Sequence, residues 1–205
     1  MIIGICGGSG SGKTTLLRRL AEHYRKMNPS VFIMDNYYHP IEKQYRDENG
    51  VYNFDLPTAL DEKKLSTNLQ KLVLGESITV REYHFNAPPD KKVLVTIDPS
   101  DFLIVEGLFL FHYEGVREKL DFSIFIDVDP NIQLDRRIYR DQETRGYSHD
   151  AIIYQWENHV KPCYEKYLLP YVEDADFIFR NDIHADDDFE LLTTILDKKM
   201  SQITC

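Results

Sequence analysis

The chain has 205 residues, with 24 Lys or Arg against 34 Asp or Glu, a formal charge of -10. That sign argues against a nucleic-acid polymer or an anionic membrane surface as partner, since both attract a basic footprint. Apolar residues at 42% and charged residues at 28% describe an ordinary globular chain, long enough for one α/β domain carrying a small inserted lobe. The longest apolar runs, 102–105 and 108–111, fall far short of the roughly 20 residues needed to cross a bilayer. An apolar run beginning at Ile2 leaves no room for a signal peptide, and Cys6, Cys163 and Cys205 are too scattered for a disulfide frame. A cytoplasmic protein is expected.

In chain order, residues 2–6 read as a first buried strand, brief, apolar and β-branched, and a helix is expected over 13–27. A strand over 31–34 leads into a polar, tyrosine-rich stretch, 37–57, expected to be a loop over a site. A helix over 58–74 follows, then β-prone runs 77–83 and 91–97 that form a hairpin outside the main sheet. The rest alternates: strand 102–105, helix 113–120, strand 122–128, helices 131–145 and 149–167, strand 177–179, helix 187–199. Five short apolar strands separated by amphipathic helices predict a parallel five-stranded sheet with helices on both faces.

Residues 7–14 read GGSGSGKT, matching G-x-x-x-x-G-K-[ST] between an apolar strand and a helix. In that setting the backbone of Gly7, Gly8, Ser9, Gly10, Ser11 and Gly12, with Lys13, Thr14 and Thr15 opening the helix, forms a cradle for nucleotide phosphates. Lys13 would reach the β- and γ-phosphates, and Thr14 would offer its hydroxyl to Mg²⁺. Glu106 follows the strand at 102–105 and Asp35 the strand at 31–34, which places two acids where a metal-linked group and a general base belong. A GTPase reading finds no Asn-Lys-x-Asp, and its only early Asp-x-x-Gly, at 47–50, lies in the polar loop. Residues 136–146, RRIYRDQETRG, put Arg136, Arg137, Arg140 and Arg145 within ten residues of an acidic chain, a candidate anion-binding lid over about 136–149. The competing reading is a solvated helix face on which these arginines pair with Asp135, Asp141 and Glu143.

These segments, together with DNYY (35–38), NFDLPTALD (53–61), IVEG (104–107), QWENHVKP (155–162), YLLP (167–170) and ADFIF (175–179), resemble the uridine kinase family of P-loop small-molecule kinases, related to phosphoribulokinase and pantothenate kinase. The likeness covers nearly the whole chain in order. It implies a P-loop fold like that of nucleoside monophosphate kinases, in a single domain over 1–205 with a substrate lobe at about 37–97. It also implies ATP- and Mg²⁺-dependent phosphorylation of a nucleoside 5'-hydroxyl, such as that of uridine or cytidine. By position, the resemblance implies Asp35 as base and metal-linked acid, Glu106 as second metal-linked acid and Asp55 as holder of the ribose hydroxyls. Tyr83 then faces the pyrimidine, Tyr38, Phe85, Arg137 and Gln155 lie on the substrate side, and Arg140 and Arg145 belong to the lid.

Two departures bear on the acceptor. Pro88 and Asp90 stand near the positions where the family carries a His and a basic residue, and Tyr147 follows Gly146 where the family usually has Arg. Both touch base recognition rather than phosphate transfer. A kinase of the same fold for another small hydroxyl compound is therefore kept as an alternative, as is a nucleotide-binding regulatory module without catalysis. The expected partners are a small nucleoside and ATP, with self-association left open.

Overall fold

A computed structural model describes residues 1–84 and 93–203, so the expectations resting on Phe85, Pro88 and Asp90 lie outside the described residues. The main sheet comprises β1 (Ile2–Gly7), β2 (Ser30–Ile33), β7 (Leu103–Glu106), β8 (Phe122–Asp127) and β9 (Phe177–Arg180), ordered β2-β7-β1-β8-β9 with every pair parallel. The expected five-stranded sheet is thus observed. Two small antiparallel ribbons lie outside it: β3 (Tyr45–Arg46) with β4 (Tyr52–Asn53), and β5 (Ile78–Arg81) with β6 (Leu94–Ile97). The second is the expected hairpin. The first sits within the stretch read as loop.

Alternation along β1 separates two helical layers. Ile3 and Ile5 face α1 (Lys13–His23) and α7 (Ala185–Ile203), packing with Leu16, Leu20, Phe179, Leu192 and Leu196. On the other face Cys6, Val105 and Phe125 pack with Leu65 and Leu69 of α2 (Glu62–Val73) and with Leu168. Among the described residues no helix is long and apolar enough to cross a membrane.

Several expected helix limits move. α1 stops at His23 and Arg25–Met27 form a 3-10 turn. α2 begins at Glu62 rather than Thr58, because Pro57–Ala59 take a 3-10 turn and the Asp61 side chain caps the helix by accepting from the Lys64 N–H at 3.0 Å. The helix expected over 113–120 shrinks to one turn, α3 (Glu114–Arg117). α4 (Pro130–Arg145) ends at Gly146, whose φ of 70° suits a left-handed C-cap. α5 (His149–Gln155) is capped by Ser148 and runs on through π turns at Trp156–Val160, an α turn at Lys161–Cys163 (α6), and π turns at Tyr164–Leu168.

Parallel register brings the site together. Glu106, the last residue of β7, lies beside Ile5 of β1 and Ile33 of β2, so the exits of all three strands converge at one edge. The phosphate-loop sequence leaves β1 there, and Asp35 leaves β2 there.

Candidate active site

The loop between β1 and α1 packs under α4. Gly10 has φ 80°, and a Cβ there would stand 2.4 Å from the Gln133 carbonyl oxygen, so only glycine permits this approach. Gly12, at φ 98°, caps α1 and leaves no room for a Cβ beside the Asn181 amide. Lys13 folds back over the loop and donates from Nζ to the carbonyls of Gly7 and Gly8, each at 3.0 Å. The Thr14 hydroxyl donates to Glu106 Oε2 at 3.2 Å.

A pocket of about 130 Å³ opens above this loop and is lined by Ser9, Gly10, Lys13, Thr14, Asp35, Tyr38, Tyr52, Phe54, Asp55, Tyr83, Glu106, Arg137, Arg140, Arg145, Tyr147 and Gln155. The expected catalytic, metal-linked and substrate-side residues among the described ones therefore meet in one cavity. Of the expected phosphate-loop residues, Gly7, Gly8, Ser11, Gly12 and the exposed Thr15 do not line it, and Gly8 lines the neighbouring cavity instead.

Burial pushes the Glu106 carboxyl up to about 7; Lys13 and the Thr14 hydrogen bond pull it down, and the neighbouring Asp35 adds to the rise. Asp35 is raised for the same first reason, with Lys13, Arg145 and Arg140 opposing and Asp55 assisting. Two carboxylates that share a desolvated corner and resist double ionisation make a natural seat for a divalent cation. Among the described residues no three His, Cys, Asp or Glu side chains form a cage able to hold a metal unaided. A hydroxyl and two acids instead fit Mg²⁺, which is held by one or two carboxylates together with substrate phosphates.

Across the pocket, Arg137 is 5% exposed and makes four contacts. Its Nη1 donates to Ser9 Oγ at 2.9 Å and its Nη2 to Gln155 Oε1 at 3.0 Å, while Asp55 Oδ2 lies 3.7 Å away and Asp141 Oδ2 3.3 Å from Nε. Asp55 itself is nearly buried, its N–H bonded to Asn53 Oδ1 at 2.9 Å. The Tyr83 N–H donates to Asn36 Oδ1 at 2.8 Å, which ties the outer hairpin to the turn that carries Asp35. Tyr38 stands 5.1 Å from Tyr83 and 6.1 Å from Phe54, ring centre to ring centre, giving a partly aromatic wall. His84 pairs with Glu82 at 2.9 Å on the surface and is not part of the pocket lining.

Two features depart from the reading of the arginine run. Arg136 does not join the pocket: its Nη2 donates to the Asn181 carbonyl at 3.0 Å and its Nη1 reaches the Gly10 and Ser11 carbonyls, bracing the loop from outside. Asp141, read as a partner on a solvated face, is fully buried. A third residue set escaped the sequence altogether. His159 Nε2 donates to Asp47 Oδ2 at 2.7 Å and the Tyr154 hydroxyl donates to the same oxygen at 2.8 Å, latching the β3–β4 ribbon to α5 and its π-turn continuation. Burial pushes the Asp47 carboxyl up, but the hydrogen bonds from Tyr154, Val51, His159 and Asn49 outweigh it and hold it at about 2.

The family model for the phosphoribulokinase / uridine kinase family matches residues 2–186. Uridine-cytidine kinase B of Dictyostelium discoideum is 31% identical over 201 residues, covering 98% of this chain and 83% of the relative. A uridine kinase of Brevibacillus brevis is 33% identical over 178 residues, covering 87% of this chain and 83% of its own length. Among solved structures, a possible uridine kinase from Bacillus stearothermophilus superposes with a TM-score of 0.64 at 23% identity, over 87% of this chain and 88% of that one, a likeness of fold. A match of this length, laid over a phosphate loop, two strand-end acids and three arginines, Arg137, Arg140 and Arg145, that line one pocket, makes the chain a member of the phosphoribulokinase / uridine kinase family of ATP-dependent kinases.

Proposed function

We propose that the protein transfers the γ-phosphoryl group of ATP to the 5'-hydroxyl of a nucleoside, with uridine and cytidine as accepted substrates. The observation that carries the reading is the meeting, in one pocket, of the Lys13 loop, the Asp35 and Glu106 acids, and Asp55 beside an aromatic wall. The names of the two relatives above support the choice of a nucleoside. A carboxylate such as Asp55 can accept from two vicinal hydroxyls at once, which suits a ribose.

In this reading Lys13 leaves the Gly7 and Gly8 carbonyls for the β- and γ-phosphates of ATP, and the loop N–H groups bind the same oxygens. Asp35 takes the proton from the acceptor hydroxyl as the oxygen attacks phosphorus in line, and its raised pKa makes it a better proton acceptor than an ordinary carboxylate. The guanidiniums of Arg140 and Arg145 spread positive charge over the transferred group. Thr14 and Glu106, with Asp35 adjacent, would hold Mg²⁺, which when bound neutralises phosphate charge. The stretch from 37 to 97 serves as substrate lobe and 136–149 as lid, within one kinase domain working in the cytoplasm in nucleoside salvage.

The test is purified protein with ATP and Mg²⁺ against a panel of nucleosides, vitamins and sugar phosphates. Phosphorylation of uridine or cytidine supports the reading. A non-nucleoside alcohol accepted while every nucleoside is refused overturns it.

A further inference from the structure

Asp141 sits in α4 between the arginines that line the pocket, and its side chain is shielded from solvent. The Nε atoms of three arginines lie within ion-pair distance of its carboxylate: Arg140 hydrogen-bonds to Oδ1 at 2.7 Å, Arg145 lies 3.3 Å from the same oxygen, and Arg137 lies 3.3 Å from Oδ2 without hydrogen-bond geometry. Helical spacing makes this possible, because Arg137 precedes Asp141 by four residues and Arg145 follows it by four, while Arg140 wraps from the adjacent position. A guanidinium approached along its Nε edge can still present its Nη edge to other oxygens. Arg137 turns its Nη edge to Ser9 and Gln155, and Arg140 and Arg145 line the cavity that also holds Lys13 and Asp35.

Three guanidiniums gathered this closely repel one another, and the effect is visible on Arg145, whose pKa is lowered by burial first and by Arg140 second, with Asp141 opposing. Remove the anion and the mutual repulsion would spread the three apart. We propose that Asp141 is a positioning residue for phosphoryl transfer: its buried carboxylate gathers Arg140 and Arg145 so that their Nη edges meet the transferred phosphoryl group. This rests on the kinase reading above, and it assigns to Asp141 a role apart from substrate contact.

Asp141→Asn keeps the size of the side chain and removes its charge. It is expected to lower kcat by about 10- to 100-fold, less than the roughly 10²- to 10³-fold of losing a direct electrostatic contact because Asp141 acts through the arginines, while acceptor KM stays within about threefold. Calorimetric titration with Mg²⁺ present supplies a readout independent of the acceptor: ATP affinity falls and ADP affinity holds, because the arginines act on the terminal phosphate. Wild-type kcat with an unchanged ATP-over-ADP preference overturns the proposal. So does equal weakening of ATP, ADP and acceptor together with a lowered Tm, which marks a purely structural role. If Asp141→Asn yields no folded protein, Asp141→Glu retains the charge but displaces it by one methylene; loss of kcat and of the ATP-over-ADP preference is expected, and wild-type values for both overturn the proposal. Should wild-type protein phosphorylate no nucleoside, the acceptor assignment falls, and the ATP and ADP titrations still decide the role of Asp141.

Discussion

The half of the pocket assigned to phosphates comes from one unbroken stretch, residues 7–14, flanked by acids at the ends of two neighbouring strands. The half assigned to the acceptor is assembled from separate pieces: Tyr38 after β2, Tyr52 to Asp55 around a small ribbon, Tyr83 after β5, Arg137 on α4 and Gln155 at the end of α5. The first is positioned by backbone, through parallel register and glycine conformation. The second is positioned by side-chain hydrogen bonds, such as Asn36 to Tyr83 and Asp47 to His159. Damage to the first half should therefore reach kcat, whereas damage to the second should spread over KM and selectivity.

The sharpest break is expected from Lys13→Ala and Glu106→Gln, each lowering kcat by at least about 10²-fold in steady-state assays at saturating substrates. Wild-type turnover by either folded variant removes it from the machinery. Asp35→Asn retains shape without basicity and should depress kcat far more than it raises acceptor KM. A large KM change at constant kcat would shift Asp35 to the acceptor half. Asp55→Ala should raise KM for every nucleoside alike, by about 10- to 100-fold for a lost charged hydrogen-bonding partner. Uneven effects among bases would mean that Asp55 reads more than ribose.

A smaller effect tests the side-chain basis of the acceptor half. His159→Ala leaves every pocket-lining residue in place but opens the latch on Asp47, and acceptor KM should rise up to about 10-fold with kcat nearly intact. An unchanged KM would show that the β3–β4 ribbon holds Asp55 without it. The smallest effect is in stability. Glu106 carries a folded pKa of about 7 against an ordinary value of 4.5, so the folded, ligand-free chain binds more protons than the unfolded chain between those limits. Its stability contribution is full below about 4.5 and is lost as pH rises towards 7. Glu106→Gln should accordingly raise Tm over wild type at pH 8 and bring no such gain at pH 5, even as it lowers turnover.

The sheet was legible because buried parallel strands are short continuous apolar runs: residues 2–6 became Ile2–Gly7, and 102–105 became Leu103–Glu106. Helix ends were less so. Thr58 follows a proline that favours a turn, and the Asp61 cap was hidden among other polar residues. The π turns after Gln155 leave no trace in a 3.6-residue pattern. Arg137, Arg140 and Arg145 were readable as a cluster, but not which guanidinium turns outward, since Arg136 and Arg137 differ only in the direction each leaves α4. Asp141 did carry a signal, lying four residues from an arginine on either side. The Asp47 and His159 latch carried none, because its partners are 112 residues apart.

The resting position of Lys13 has a consequence for the end of each catalytic cycle. With its ammonium on the Gly7 and Gly8 carbonyls, Lys13 has acceptors within the loop itself. In the proposed reaction a departing ADP would leave no unsatisfied cation, since the lysine would return to these carbonyls as the diphosphate exits. The loop would thereby reset itself, and ADP would have to draw Lys13 away from them to rebind.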